Sequence, residues 1–431
     1  KFLSALPLAA FSPRFSGPVY ANKLRRPHRS IRLARRHSRR IVMPLPSVPP
    51  EQSDAQSTRL ARLQAFLDQD PDNLPLLTDV ADLALACGDF LAARNALRHG
   101  LELRPGDPCF CLRLSSVALA EGSADEALGI TEQLLALGQY DPAIRFNRAF
   151  ALVRLGRFAE AKELLVALHG EETSYPLVVR LLIRCHHYLG ELEEAVALAK
   201  QYLAAHPDEG DVSGMLSLLY FDSNDLAQAG EWARRALACA PDNPDALLAA
   251  GGAALGAEKS RDAREFLLRA VDVDPRNGRA WLNLGLADLL EFNLEAARSK
   301  LDQAARYMPG HIGTWHVLAW IHLLLGDIDA AEASFKRALE IDENFGETHG
   351  GLAAVAAMRG EWEAAEKLSK TARRLDPGSM SAHYGQIVRL RQEGRADAAM
   401  HVLESALRQG KAPAGGSLLE MLGRVASRHR R

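Results

Sequence analysis

Apolar and polar positions alternate along most of the chain with helical spacing, and the pattern repeats every 34 residues. Its clearest marker is a series of ten alanines at that constant interval: Ala93, Ala127, Ala161, Ala195, Ala229, Ala263, Ala297, Ala331, Ala365 and Ala399. Each period has room for one helix–turn–helix unit, with helices A and B. Alanine recurs where two helices cross closely, because a larger side chain would push them apart. With Leu74 as position 1, the units start at Leu74, Pro108, Pro142, Pro176, Gly210, Pro244, Gly278, Ile312, Gly346 and Met380. B helices are expected to centre on the recurrent alanines. Position 8, where helix A meets helix B, is small in most units (Ala81, Ser115, Ala149, Ser217, Gly251, Gly285, Ala319, Ala353). A second small site late in helix B reads Ala236, Ala270, Ala304, Ala338, Ala372 and Ala406.

The punctuation agrees with the periodicity. Gly88, Gly122, Gly156, Gly190, Gly326, Gly360 and Gly394 fall in the A–B turn, where a left-handed helix cap favours glycine. Pro105, Pro207, Pro241, Pro275, Pro309 and Pro377 follow helix B and stop it. Trp281 and Trp315 supply an aromatic wedge between helices at position 4. Taken together, Trp281-Leu282-Asn283-Leu284-Gly285, Ala297, Ala304 and Pro309 resemble the tetratricopeptide repeat family. That resemblance covers about four fifths of the chain. It implies an all-α, right-handed solenoid of about ten repeats, with A helices lining a concave wall that binds peptides or protein segments.

The expected organisation is a basic leader over 1–50, an N-terminal capping helix over 51–73, ten repeats over 74–413 and a C-terminal capping helix over 414–431. In the first cap, Ser57 to Asp68 reads as a lone B helix with Leu63 and Phe66 on its apolar side. In the last, Ser417 is expected to N-cap a helix carrying Leu418, Leu419, Leu422 and Val425. Terminal units need a polar outer face.

The formal net charge of −2 hides an asymmetry. Residues 1–50 hold eleven Lys or Arg and no acid, so the rest of the chain has 41 basic and 54 acidic side chains, a net of −13. That surplus argues against nucleic acid as the ligand of the repeats. No apolar run of about 18 residues predicts a membrane span. The five cysteines (Cys87, Cys109, Cys111, Cys185, Cys239) are odd in number and differ in repeat position, which favours small buried hydrophobes over disulfides.

Three readings of the first 42 residues stay open. Translation starting at Met43 fits the abrupt change of composition at Met43-Pro44-Leu45-Pro46. A targeting segment or basic arm fits the run of arginines without acids. A secretory signal fits Leu3 to Phe11, with cleavage after Ala21. The first of these implies a cytoplasmic protein and the last a periplasmic or envelope one.

On the family resemblance, positions 2, 5, 9, 12 and 13 of helix A face the groove. Units three and four then present Phe146, Asn147, Phe150 and Arg154, followed by Arg180, Arg184, His187 and Tyr188. Arg180 and Arg184 lie one turn apart, next to aromatic walls, an arrangement suited to a carboxylate. Pairing of these arginines with nearby acids, or plain solvation, is the competing account. Units six to eight present Leu248, Leu255, Leu282, Leu286, Leu289, His316, Trp320 and Leu323, an apolar stripe that suits either a partner or tighter stacking of the array itself.

Specific chemistry is thin. Lysines of a chaperone-type carboxylate clamp are missing around Asn147 and Asn283. In Cys185-His186-His187 the adjacent histidines diverge by about 100° around the helix, so one ion cannot readily take both. No nucleotide, hydrolase or metalloprotease motif occurs. The chain is therefore expected to be no enzyme and to need no cofactor or metal. It reads as a scaffold or adaptor that takes an acidic or hydrophobic segment of another protein. The alternative is an accessory subunit of a bacterial envelope, secretion or pilus-assembly machine.

Overall fold

The computed structural model describes residues 50–171, 176–377, 379–409, 417, 419 and 420. The leader and most of the expected closing helix lie outside these residues. The chain divides between Ala195 and Val196 into two compact units, each considered by itself below.

Among the described residues the regular elements are helices. Helix α1 (Pro50–Leu67) is followed by A–B pairs: α2 (Leu74–Ala86) with α3 (Phe90–Leu103), α4 (Pro108–Glu121) with α5 (Ala124–Ala136), α6 (Pro142–Arg154) with α7 (Phe158–Glu171), and α8 (Pro176–Leu189) with α9 (Leu192–Ala205). Then come α10 (Gly210–Asp222) with α11 (Leu226–Cys239), α12 (Pro244–Gly256) with α13 (Ser260–Val273), and α14 (Gly278–Leu290) with α15 (Leu294–Tyr307). The last are α16 (Ile312–Leu325) with α17 (Ile328–Ile341), α18 (Gly346–Met358) with α19 (Trp362–Leu375), and α20 (Tyr384–Gln392) with α21 (Ala396–Gln409). The A helices from α2 to α18 start at the residues the repeat predicts. The recurrent alanines are fully or almost fully buried, but each is the fourth residue of its B helix rather than the centre. The crossing therefore lies one turn into helix B.

Local sequence explains the helix ends. Asn73, Asp89, Asp107, Asp141, Asp225, Asn243, Asn277 and Asp327 accept a backbone N–H of the first turn. Pro108, Pro142 and Pro244 occupy the first position, where the missing N–H costs nothing. Every turn glycine named above has positive φ. In units five to seven the same position holds Asn224, Glu258 and Phe292, also with positive φ, at 62°, 58° and 58°. The fold thus imposes the left-handed conformation even where the sequence lacks glycine.

Unit ten departs from the pattern. A short 3-10 turn over Ser381–His383 precedes α20. The reason is a carboxylate from the unit before. Buried Glu347 accepts from the N–H of Met380 (2.9 Å), the N–H of Ser381 (3.2 Å) and the Ser381 hydroxyl. Those donors would otherwise need a local cap, and the first turn tightens around the carboxylate.

Two A helices are stripped of side chain. In α12 the run Ala249-Ala250-Gly251-Gly252-Ala253-Ala254 lets its neighbours meet across it. The Phe221 ring of α10 lies where a Cβ on Gly252 would be, and Arg279 of α14 pairs with buried Asp222 of α10. Helix α18 repeats the device with Gly350, Gly351, Ala353 and Ala354. Across it, Trp320 of α16 packs edge-on against Tyr384 of α20, ring centroids 5.3 Å apart.

Ion pairs tie a B helix to the end of helix A in the following unit: Arg94–Glu121, Lys162–Glu191 (2.6 Å) and Arg264–Glu291 (2.8 Å), with the polarity reversed in Arg359–Glu332 (2.7 Å). They are half-exposed and set register more than stability. Trp281 and Trp315 are wedged as expected, and each donates its indole N–H at 2.9 Å to a proline carbonyl six residues earlier, Pro275 or Pro309. At the ends, Leu60 and Leu63 of α1 pack with Leu77 and Val80, whereas Phe66 is 58% exposed and does not join that core. Ser417 and Glu420 exchange reciprocal backbone bonds, a capping box, and Leu419 packs on the last core cluster.

Two substitutions test this account. A Cβ on Gly350 would stand 2.6 Å from the backbone nitrogen of Ala382, which cannot rotate away. Gly350→Ala should cost about 1–3 kcal/mol in chemical denaturation. Glu258→Gly should gain about 0.5–1 kcal/mol by relieving the left-handed conformation.

Candidate functional site

The A-helix face of the first unit carries the clearest chemistry. Helices α6 and α8 contribute Arg145, Arg148, Arg154, Arg180 and Arg184 and no Asp or Glu. In α2, α10, α12 and α18 the only formally charged residues are acidic. Phe146 and Phe150 occupy positions 5 and 9 of α6, half-buried, with rings stacked at 6.3 Å and 14°. Arg180 and Arg184 occupy the same two positions of α8, also half-buried. Adjacent helices thus present an aromatic ladder and a cationic ladder in matching register. Arg154 is half-buried at the end of α6. Toward α2 the face turns acidic: Asp82 pairs with Arg113 of α4 at 2.9 Å.

Three expected site residues of this unit serve the fold. Asn147 is 8% exposed, and its amide donates to the hydroxyls of Ser115 and Ser116, both at 2.9 Å. It cross-links two A helices and is not open to a partner. The Tyr188 ring stacks on Phe158 of α7 at 4.4 Å, and buried His187 stacks on Tyr188 at 5.8 Å.

Of the apolar stripe expected in the second unit, His316, Trp320 and Leu323 are core. Trp320 is 3% exposed, His316 is fully buried and Leu323 is buried with them. Trp320 donates its indole N–H to His316 Nε2 at 2.9 Å and packs edge-on against Phe335. Leu282 and Leu286 are half-buried against Leu289, Leu301 and Val317. The apolar pattern was read correctly, but the stripped helix α18 lets the array cover it. Sequence spacing did not reveal contacts between alternate repeats; the Gly-Gly pairs in α12 and α18 were the available signal.

Electrostatics follow burial. Burial pushes the His316 imidazole down to about 3. His311 accepts the Thr314 N–H and is pushed down to about 4 by burial and then by the nearby Arg279 charge. Burial pushes Tyr384 up to about 12 and raises Glu347. It also pushes the Cys185 thiol up to about 12, so this cysteine is a packed hydrophobe. Cys109 and Cys239 are exposed, contrary to the expectation of burial. In Cys185-His186-His187 the members diverge: Cys185 is buried, His186 meets Glu191 at 2.6 Å and His187 lies on Tyr188. No group of three metal-ligating side chains gathers among the described residues, and none of the described helices is long and apolar enough to cross a membrane.

Two tetratricopeptide repeat family models match the chain, one over residues 186–244 and 248–311, the other over 118–185 and 325–389, together more than half of it. No curated protein sequence matches. Similar solved structures include a human IFIT1 dimer with m7Gppp-AAAA (15% identity, 84% of this chain and 95% of that one, TM-score 0.48). A tetratricopeptide repeat protein from Parabacteroides merdae is 16% identical over 62% of this chain and 98% of its own, with a TM-score of 0.40. YrrB, described as having an unusual peptide-binding site, is 18% identical over 42% of this chain and 93% of its own, with a TM-score of 0.34.

The buried histidines give the second unit an acid sensitivity whose sign is fixed. Unfolded, His316 titrates near 6.5; folded, it titrates near 3. Between those values the unfolded state binds more protons, so stability falls as pH drops through 6.5 and is fully present above it. Relative to His316→Gln, whose amide still accepts from Trp320, the wild-type chain should lose about 2 kcal/mol between pH 7 and pH 5. Denaturation curves of both proteins at the two pH values measure the difference.

Proposed function

Because the chain belongs to the tetratricopeptide repeat family, we propose that it is a non-enzymatic scaffold that holds a segment of another protein on the A-helix face of units three and four. The observation that carries this reading is the pairing of ladders: Phe146 and Phe150 on α6, Arg180 and Arg184 on α8, at the same positions of neighbouring repeats. An aromatic ladder offers apolar area at low entropic cost, and guanidinium forks favour carboxylate. The half-buried setting strengthens that pairing over one in open water. The second unit supports the scaffold in another way. Trp320, His316 and Leu323 of its expected stripe are buried, which favours the first unit as the docking face.

The test is affinity capture from the source cell with the whole chain, with and without the double change Arg180→Glu and Arg184→Glu. The double variant should bind its partner about 2 kcal/mol more weakly, and added salt should weaken the wild-type complex. Unchanged capture that also ignores salt would remove this face as the docking site.

A further inference from the structure

Trp320 ties a titrating group to the last repeat, because it is held from two sides. Its indole N–H donates to His316 Nε2 at 2.9 Å, and its ring packs edge-on against Tyr384 of α20. His316 accepts there only while neutral, with its one proton on Nδ1. A second proton goes to Nε2 and sets two N–H donors face to face. The indole then cannot keep its place, and a displaced indole loses Tyr384.

Nothing around His316 suits a cation. The Phe335 and Phe345 rings flank it edge-on at 5.4 and 6.1 Å. Burial alone lowers its pKa, and among the described residues no charge on α15, α17, α18 or α20 offsets that cost. An imidazolium here needs water. The hairpin of unit ten is what can move to admit it. Helix α20 rests on α18 and α19, and α21 rests on α20, so the pair can part from α18 without breaking an earlier repeat.

We propose that unit ten is an acid-released cover: protonation of His316 displaces Trp320, frees the α20–α21 hairpin and bares the apolar face that Trp320, Ala354 and Val355 share with it. At neutral pH the array hides that face with its own last repeat.

Other groups titrate nearby, with different signs. Burial lowers His383, and the Arg373 charge adds to it, so His383 also favours release in acid. Glu347 is raised by burial, so its share of stability is present at low pH and lost as pH rises, which opposes release. Tyr384, beside Arg391, is pushed up to about 12 and stays neutral throughout. His322, facing Asp302 and Asp327, and His311, near Arg279, belong to α16 and its cap, which remain when the hairpin leaves.

Hydrogen–deuterium exchange of the whole chain, read by mass spectrometry, tests the cover. Each rate is divided by the intrinsic rate at its pH. The comparison is His316→Gln, whose amide still accepts from Trp320 but does not titrate. His383 and Glu347 are common to both proteins and cancel. Once uncovered, His316 titrates near 6.5. The exchange rate of α20 and α21 in wild type, divided by that in the variant, should therefore rise about tenfold from pH 7.5 to pH 5.5. Circular dichroism checks that the variant folds, and His316→Phe, which fills the site without titrating, is the second comparison. At both pH values α20 and α21 should also exchange faster than α12 and α13. A ratio that stays constant between the two pH values means that release does not hydrate His316, and overturns the proposal. Equal protection of the hairpin and of α12 and α13 overturns it as well, because unit ten then leaves only when the whole unit unfolds.

Discussion

Close helix approach, permitted by missing side chain, is the constraint on which the rest of this structure depends. Within a unit it acts at the recurrent alanine, fully buried in most repeats, where helices A and B cross. Between units it acts more strongly at α12 and α18, where glycine pairs leave backbone facing a neighbour's ring or main chain. Phe221 fills the space above Gly252, and the Ser381–Ala382 backbone fills the space above Gly350. Dispersion and apolar burial reward such contacts only while the helices stay close, so one added methyl group at these sites disturbs several packed groups together.

The same constraint decides where chemistry remains available. Stripped helices bring alternate repeats together, and the side chains that meet across them leave solvent: Asp222 with Arg279, Trp320 with Tyr384, His316 beneath Trp320. Helix α6 is the opposite case. Its phenylalanines at positions 5 and 9 are followed by α8, which carries Arg180 and Arg184 where α18 carries Gly350 and Ala354, and they remain half-buried. Side-chain volume on the A helices thus separates a self-filled unit from one that presents a surface.

Much of this was legible in the sequence. The period predicted the starts of α2 through α18, because alanine spacing, turn glycines and helix-ending prolines all report the same backbone geometry. The start of α20 was not legible, because its cap is Glu347, a residue 34 positions earlier that reads as groove-facing. Trp320 shows the other limit. Its helical position was read correctly, and its burial depends on Tyr384, two repeats away, and on the small residues of α18 between them. Asn147 was assigned to a ligand although its partners, Ser115 and Ser116, sit one repeat away, and Ser115 was read only as a small packing residue. Local periodicity determines which face a residue occupies. Whether that face is covered depends on residue size in the next units.

Contacts between alternate repeats also change how the second unit holds together. In a simple array each repeat touches only its neighbours, and stability is a sum of nearest-neighbour terms. Arg279–Asp222 links units five and seven, and Trp320–Tyr384 links units eight and ten. Fraying of the last unit therefore exposes Trp320 as well as its own interface with α18. It also frees Glu347, whose carboxylate is raised by burial and held by the Ser381 donors. Loss of one terminal hairpin thus uncovers an indole, an imidazole and a carboxylate that the folded array keeps from water. The open, cationic face of the first unit lies among half-buried ladders whose exposure does not require any repeat to leave. The proposed docking face and the self-filled second unit consequently depend on different residues, and substitutions can alter one without the other.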